Sequence, residues 1–217
     1  HSDDGKFTLD LLQRLVELYD QYGIKTVLCT PTATPPVWVV DRFPDLAPML
    51  PDGRNGLFGG RRHYSVFHKG YRDLSVEIAR GLAERFGKHP AVAGWHIDNE
   101  IGSYSTIDCS EPALKAFRKH AELKFGTVDA LNKAWGLIFW NQEIQYFDQL
   151  PAPPQMMCTR NPQYIHEYNR FCLRGAADFA LAQAEVIRPQ IAPHQWVVAS
   201  CEGMCQQAIF DLQRERA

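Results

Sequence analysis

The stretch "AVAGWHIDNE", Ala91–Glu100, decides how the chain folds. As far as Ile97 its apolar residues are near-continuous rather than alternating. A strand with one wet face alternates, whereas a parallel strand covered on both faces reads as an unbroken apolar run. The run is also short for a helix. It therefore predicts a buried parallel strand that ends abruptly in three polar groups, Asp98, Asn99 and Glu100. Parallel α/β folds gather their chemistry at the carboxyl ends of strands. Asn99 and Glu100 stand at such an end, side by side.

Two further runs read as companion strands: "IKTVLCT", Ile24–Thr30, and "WVVAS", Trp196–Ser200. Helical patterns separate them. Leu11, Leu12, Leu15, Val16, Tyr19 and Tyr22 share one face, with Gly23 as a C-terminal cap. Phe67, Tyr71, Leu74, Ile78 and Leu82 mark a second helix closed by Gly87. Ser110, Glu111 and Pro112 form a helix start, followed by Ala113–Phe125 and a cap at Gly126. Thr127 opens a short helix to Trp135. Asn161-Pro162 starts a long one that must stop near Arg188, before Pro189. Pro31 to Ser65 is a Pro- and Gly-rich loop with a helical turn near Val37 to Asp41, and loops of that length usually have a job. A polar, proline-rich connection covers Asn141 to Asn161. This order gives βα units in a parallel sheet. Three strands do not complete such a fold.

At 217 residues the chain is long enough for one domain with a sizeable core. A formal net charge of −2 leaves no electrostatic footprint for nucleic acid or an acidic membrane surface. No apolar run is long enough to span a bilayer. The six cysteines, Cys29, Cys109, Cys158, Cys172, Cys201 and Cys205, contain no C-x-x-C pair. Scattered thiols fit a reducing compartment, hence the cytoplasm. The chain opens at His1 inside a polar turn and closes on the charged stretch Asp211–Ala217. The expectation is a piece of a longer protein, with residues 1–217 forming part of one domain truncated at both ends.

A rim glutamate held partly out of water can deliver a proton to a leaving oxygen near neutral pH. Paired with a second carboxylate, that is the machinery of glycoside hydrolysis. The competing reading makes Glu100 a strand-end residue paired to a lysine or capping a helix.

Four longer stretches bear on that choice: "TPTATPPVW" (Thr30–Trp38), "GGRRHY" (Gly59–Tyr64), "HPAVAGWHIDNE" (His89–Glu100) and "KFGTVDALNKAWGLIFW" (Lys124–Trp140). Together and in this order they resemble glycoside hydrolase family 42, the β-galactosidases. The resemblance covers nearly all of the chain and fades after about Ser200. It implies a partial (β/α)₈ TIM barrel, the three strands corresponding to the third to fifth of eight. It implies that Glu100 is the general acid/base, that Asn99 bonds the sugar at its 2-OH, and that Arg61 binds substrate. For Arg61 a solvated loop charge, or an ion pair that positions Glu100, remains open. Arg62 and His63 read as structural or supporting. His96 and Asp98 read as buried hydrogen-bonding groups on the strand body. Trp38, Trp95, Trp135 and Trp140 are candidates for a sugar-stacking platform. Of these Trp95 and Trp135 read rather as core, and Trp140 stays open between the two.

The chain departs from the family in two places. Many members bind zinc through four cysteines, one after the R-R-H-Y stretch and three after the glutamate. Here Ser65 takes the first place and "IGSYSTIDCS" offers only Cys109, so no structural metal is expected. The family's nucleophile, a glutamate on the seventh strand, has no counterpart, and Glu202 in "ASCEG" lies on the wrong strand. The resemblance thus implies half an active site of a retaining β-galactosidase. It implies no organic cofactor, β-galactosides as ligands, and a parent enzyme that can be a homotrimer. Alone, such an open piece of barrel is expected to be unstable or aggregation-prone, and inactive. The alternatives are another barrel glycosidase (β-glucosidase, arabinosidase or cellulase) and a non-catalytic carbohydrate-binding remnant.

Overall fold

The computed structural model describes residues 7–102, 107–153 and 161–201, together with 208, 211 and 214. Along the chain run α1 (Asp10–Gln21), β1 (Thr26–Cys29), α2 (Val37–Arg42), α3 (Lys69–Phe86), β2 (Val92–Ile101), α4 (Glu111–Phe125), α5 (Val128–Trp135), α6 (Pro162–Ile187) and β3 (Trp196–Cys201). The sequence cues explain most helix ends. Gly23 adopts φ 71° after α1. Its N–H reaches Asp20 O at 2.9 Å, and the next N–H, of Ile24, reaches Tyr19 O at 2.8 Å. This Schellman arrangement satisfies carbonyls the helix leaves open. Thr127 Oγ1 accepts from Ala130 N, and Asn161 Oδ1 from Gln163 N and Tyr164 N, so both act as N-caps.

Gly87 differs from expectation. Its φ is −61°, so no left-handed cap is made. It is glycine for space: a β-carbon there would lie 2.4 Å from the carbonyl oxygen of Gln190. The turn after α6 passes over the end of α3, and Gly87 O accepts from Ala192 N at 3.0 Å.

The sheet has the order β1-β2-β3 and both pairings are parallel. Register places Leu28, Trp95 and Val197 on one face, with α3 and α6 packed against it. Ala79, Leu82, Ala83, Ala177, Ala180 and Ile187 close that core. Trp95 is fully buried and donates its indole N–H to Gln195 Oε1 at 3.1 Å. On the other face Val27, Gly94 and Trp196 lie side by side, then Cys29, His96 and Val198. Val27, Trp196 and Val198 are exposed there. A closed barrel turns such a face inward.

A second core joins α4, α5 and α6 through Phe117, Leu131, Trp135, Tyr164 and Tyr168. Trp135 stacks on Phe117, as the core reading expected. Trp140 is 66% exposed and lies on Phe139, ring centroids 4.6 Å apart. No helix among the described residues is long and apolar enough to cross a membrane.

Candidate active site

The expected strand over 91–97 does not stop at Ile97. β2 continues to Ile101 through a bulge. Ile97 pairs with Ala199 and Ile101 with Cys201, so Asp98, Asn99 and Glu100 together face Ser200. Asp98 and Glu100 take left-handed φ values of 53° and 51°. Bulges of this kind re-aim side chains at strand ends. Glu100 N donates to Ser200 Oγ at 2.8 Å.

The bulge brings Asn99 and Glu100 to Arg61. Arg61 Nη1 donates to Glu100 Oε2 at 3.0 Å, and Nη2 lies 3.5 Å from the Asn99 carbonyl oxygen. The Glu100 partner is therefore an arginine from the loop, not a lysine. The Glu100 and Arg61 side chains are 43% and 35% exposed, so solvent reaches the pair.

Beneath them Asp98 has no exposed surface. Its Oδ1 accepts from Arg62 Nη2 at 2.8 Å and from Asn99 N at 2.6 Å. Its Oδ2 accepts from Thr32 Oγ1 at 2.7 Å and Tyr64 Oη at 3.2 Å. Its own N–H donates to Thr30 Oγ1 at 2.7 Å. Arg62 also donates to the Asn99 carbonyl and, through Nη1, to Tyr64 Oη at 3.1 Å. Burial, then the Asp98 charge, pushes the Tyr64 and Tyr71 phenols and the Cys29 thiol up. These groups stay protonated and donate. Tyr71 Oη donates a hydrogen bond to Thr32 O, and Cys29 Sγ one to Asp98 O.

His63 lies between two carbonyl oxygens, Gly60 O at 2.8 Å and Pro35 O at 3.2 Å. It ties the loop down. His96 Nδ1 is 3.4 Å from Cys29 Sγ, on the open sheet face. Thr30, Thr32, Tyr64 and Ser200 were not singled out from sequence. The rim turn "TPTATPP" pointed at the place, but nothing local tells a capping threonine from one that faces a buried carboxylate.

The zinc set of the family does not fit here. Ser65 is buried, its Oγ accepting from Phe67 N at 3.2 Å. Cys109 and Cys172 are buried thiols, and burial pushes Cys172 up. Asp108 Oδ2 is buried without a partner, yet two thiols and one carboxylate oxygen still fall short of a four-ligand tetrahedral set. Among the described residues no cluster of three or more His, Cys, Asp or Glu could hold a metal ion. Hydrogen bonds fasten this loop instead. Asp108 Oδ1 accepts from Met49 N and Ser110 N, and Asp108 O accepts from Tyr168 Oη at 2.7 Å. Cys158, Glu202 and Cys205 lie outside the described residues.

A family model described as glycoside hydrolase 42, beta-galactosidase, matches residues 2–215. The chain belongs to this family. It is 38% identical to a beta-galactosidase of Thermus thermophilus over 202 residues, 93% of this chain and 31% of that protein. It is 40% identical to the beta-galactosidase BgaA of a Thermus species over 182 residues, 83% of this chain and 28% of the other. The crystal structure of a beta-galactosidase from the psychrophilic Marinomonas ef1 superposes with a TM-score of 0.86 at 36% identity, covering 89% of this chain and 30% of that one. The chain thus spans about three tenths of the length of these family 42 relatives. Its three-stranded parallel sheet and helices match a portion of a TIM-barrel family 42 enzyme.

Proposed function

We propose that this chain is part of a single catalytic barrel domain whose whole hydrolyses terminal β-D-galactosides with retention, β1 to β3 being the third to fifth barrel strands. Glu100 is the general acid/base. It protonates the glycosidic oxygen while a carboxylate outside these residues attacks the anomeric carbon. It then takes a proton from the water that releases galactose. Retention needs the two carboxyl groups about 5 Å apart. Asn99 bonds the sugar, at its 2-OH, and the Arg61 fork bonds sugar hydroxyls while holding Glu100.

The observation that carries this reading is Glu100 at the carboxyl rim of β2, beside Asn99 and 3.0 Å from Arg61, in a family 42 chain. The scattered thiols support a cytoplasmic parent enzyme, and the resemblance alone supports a homotrimer, which light scattering tests. The deciding experiment is the full-length protein and its Glu100→Gln variant on a panel of nitrophenyl glycosides. The expected result is β-galactoside turnover, loss of roughly 10²-fold or more in the variant, and β-galactose as the first anomer seen by NMR. Unchanged turnover in Glu100→Gln would refute the assignment.

A further inference from the structure

We propose that Asp98 and Arg62 are positioning residues for the acid/base: they clamp the Asn99–Glu100 peptide and so fix where the Glu100 carboxyl points. The inference rests on Glu100 being the acid of the proposed reaction.

Asp98 and Glu100 occupy a backbone region that non-glycine residues seldom visit. Left to itself the strand would stay extended and its side chains would alternate between faces. Specific contacts hold it otherwise. The peptide unit between Asn99 and Glu100 is held at both ends. Its carbonyl oxygen accepts from Arg62, and its N–H donates to Ser200 Oγ. Arg62 is in turn held by Asp98 Oδ1 at 2.8 Å, with side chains 11% and 0% exposed. The Asp98 carboxylate takes four donors: Arg62, Thr32, Tyr64 and the Asn99 N–H. The last of these fixes the peptide just before the clamped one. Arg61 reaches the same Asn99 carbonyl oxygen and Glu100, but it is far more solvent-accessible. The buried pair is thus the rigid support, and Arg61 faces the solvent side where a sugar would arrive.

Asp98 touches no reacting atom in this scheme, so its loss acts through Glu100. A misplaced acid hurts substrates in proportion to how much their leaving group needs a proton. The test measures kcat/KM, which reports the step in which the leaving group departs, for full-length protein. The variants are Asp98→Asn and Arg62→Lys. The substrates are a dinitrophenyl galactoside, which needs little acid help, and a methoxyphenyl galactoside, which needs much. The expected result is a loss of roughly 10²-fold on the poor leaving group and under about tenfold on the good one, with KM little changed. Equal losses on both substrates would overturn the clamp, since a merely structural defect lowers all turnover alike. If Asp98→Asn fails to fold, Thr32→Val and Arg62→Lys give the same ratio while leaving the Asp98 charge in place. Glu100→Gln is the control. Should it show no leaving-group dependence, the acid assignment itself falls. Should it show the dependence while Asp98→Asn and Arg62→Lys do not, the clamp alone falls.

Discussion

Gly94 lies against the indole of Trp196: a β-carbon there would sit 2.3 Å from Trp196 Cδ2. The two residues are register partners on β2 and β3. The ring covers the backbone where any side chain would stand. Gly94→Ala should therefore push the ring aside and destabilise the protein by about 1–3 kcal/mol, the usual range for overpacking. Trp196→Ala should remove most of that cost, and a double-mutant cycle of thermal unfolding measures it. An additive cycle would show that the contact is not the cause.

Arg61 spans two acceptors, Glu100 Oε2 and the Asn99 carbonyl. Lysine offers a point charge rather than a planar fork and cannot keep both. Arg61→Lys in the full-length enzyme should lower kcat/KM on a nitrophenyl galactoside by about tenfold or more, roughly 1.4 kcal/mol. Its melting temperature should barely move, because exposed ion pairs contribute about 0–1 kcal/mol. A large drop in melting temperature with activity unchanged would make Arg61 a structural residue.

These two sites differ in how far sequence alone could reach them. The unbroken apolar run before Asp98 announces a buried parallel strand, and the polar triplet announces its functional end. Helix stops at Gly23 and Gly126 are legible because their left-handed φ requires glycine. Gly87 looks the same in sequence but serves the close approach of a segment a hundred residues later. The bulge at 98–100 left no trace, since Asp and Glu at positive φ carry no local signature. Asp98 likewise read as one buried polar group. Its four donors come from β2 itself and from two loops that only folding brings together.

Val27, Trp196 and Val198 expose an apolar sheet face in this chain, while α3 and α6 cover the opposite one. β1 and β3 are both edge strands of the three-stranded sheet formed by the described residues. Unpaired edges beside an apolar face template association. The 217-residue polypeptide on its own should bind a hydrophobic dye strongly and elute as concentration-dependent aggregates in size exclusion with light scattering. It should also fail to hydrolyse a nitrophenyl galactoside. A monodisperse, active monomer would contradict both expectations.

Glu167 on α6 receives Lys124 Nζ at 2.6 Å and His120 Nε2 at 3.1 Å from α4. The His120 hydrogen bond first, then Lys124, lower its pKa from 4.5 to about 2. A carboxylate favoured in the folded state adds stability above its unfolded pKa, and that stability drains away as pH falls toward its folded pKa. The window therefore runs from about pH 4.5 down to about 2. With Lys124 44% exposed, solvent screening discounts the shift to about 1–2 kcal/mol. Glu167→Gln removes the titration. The gap in melting temperature between wild type and variant should be present at about pH 5, narrow as pH falls below that, and close only below about pH 2. The full-length protein is the sample to use, because subtracting the variant cancels the other carboxylates that titrate in the same range. A gap that does not change with pH would mean that the α4–α6 contact is packing rather than charge.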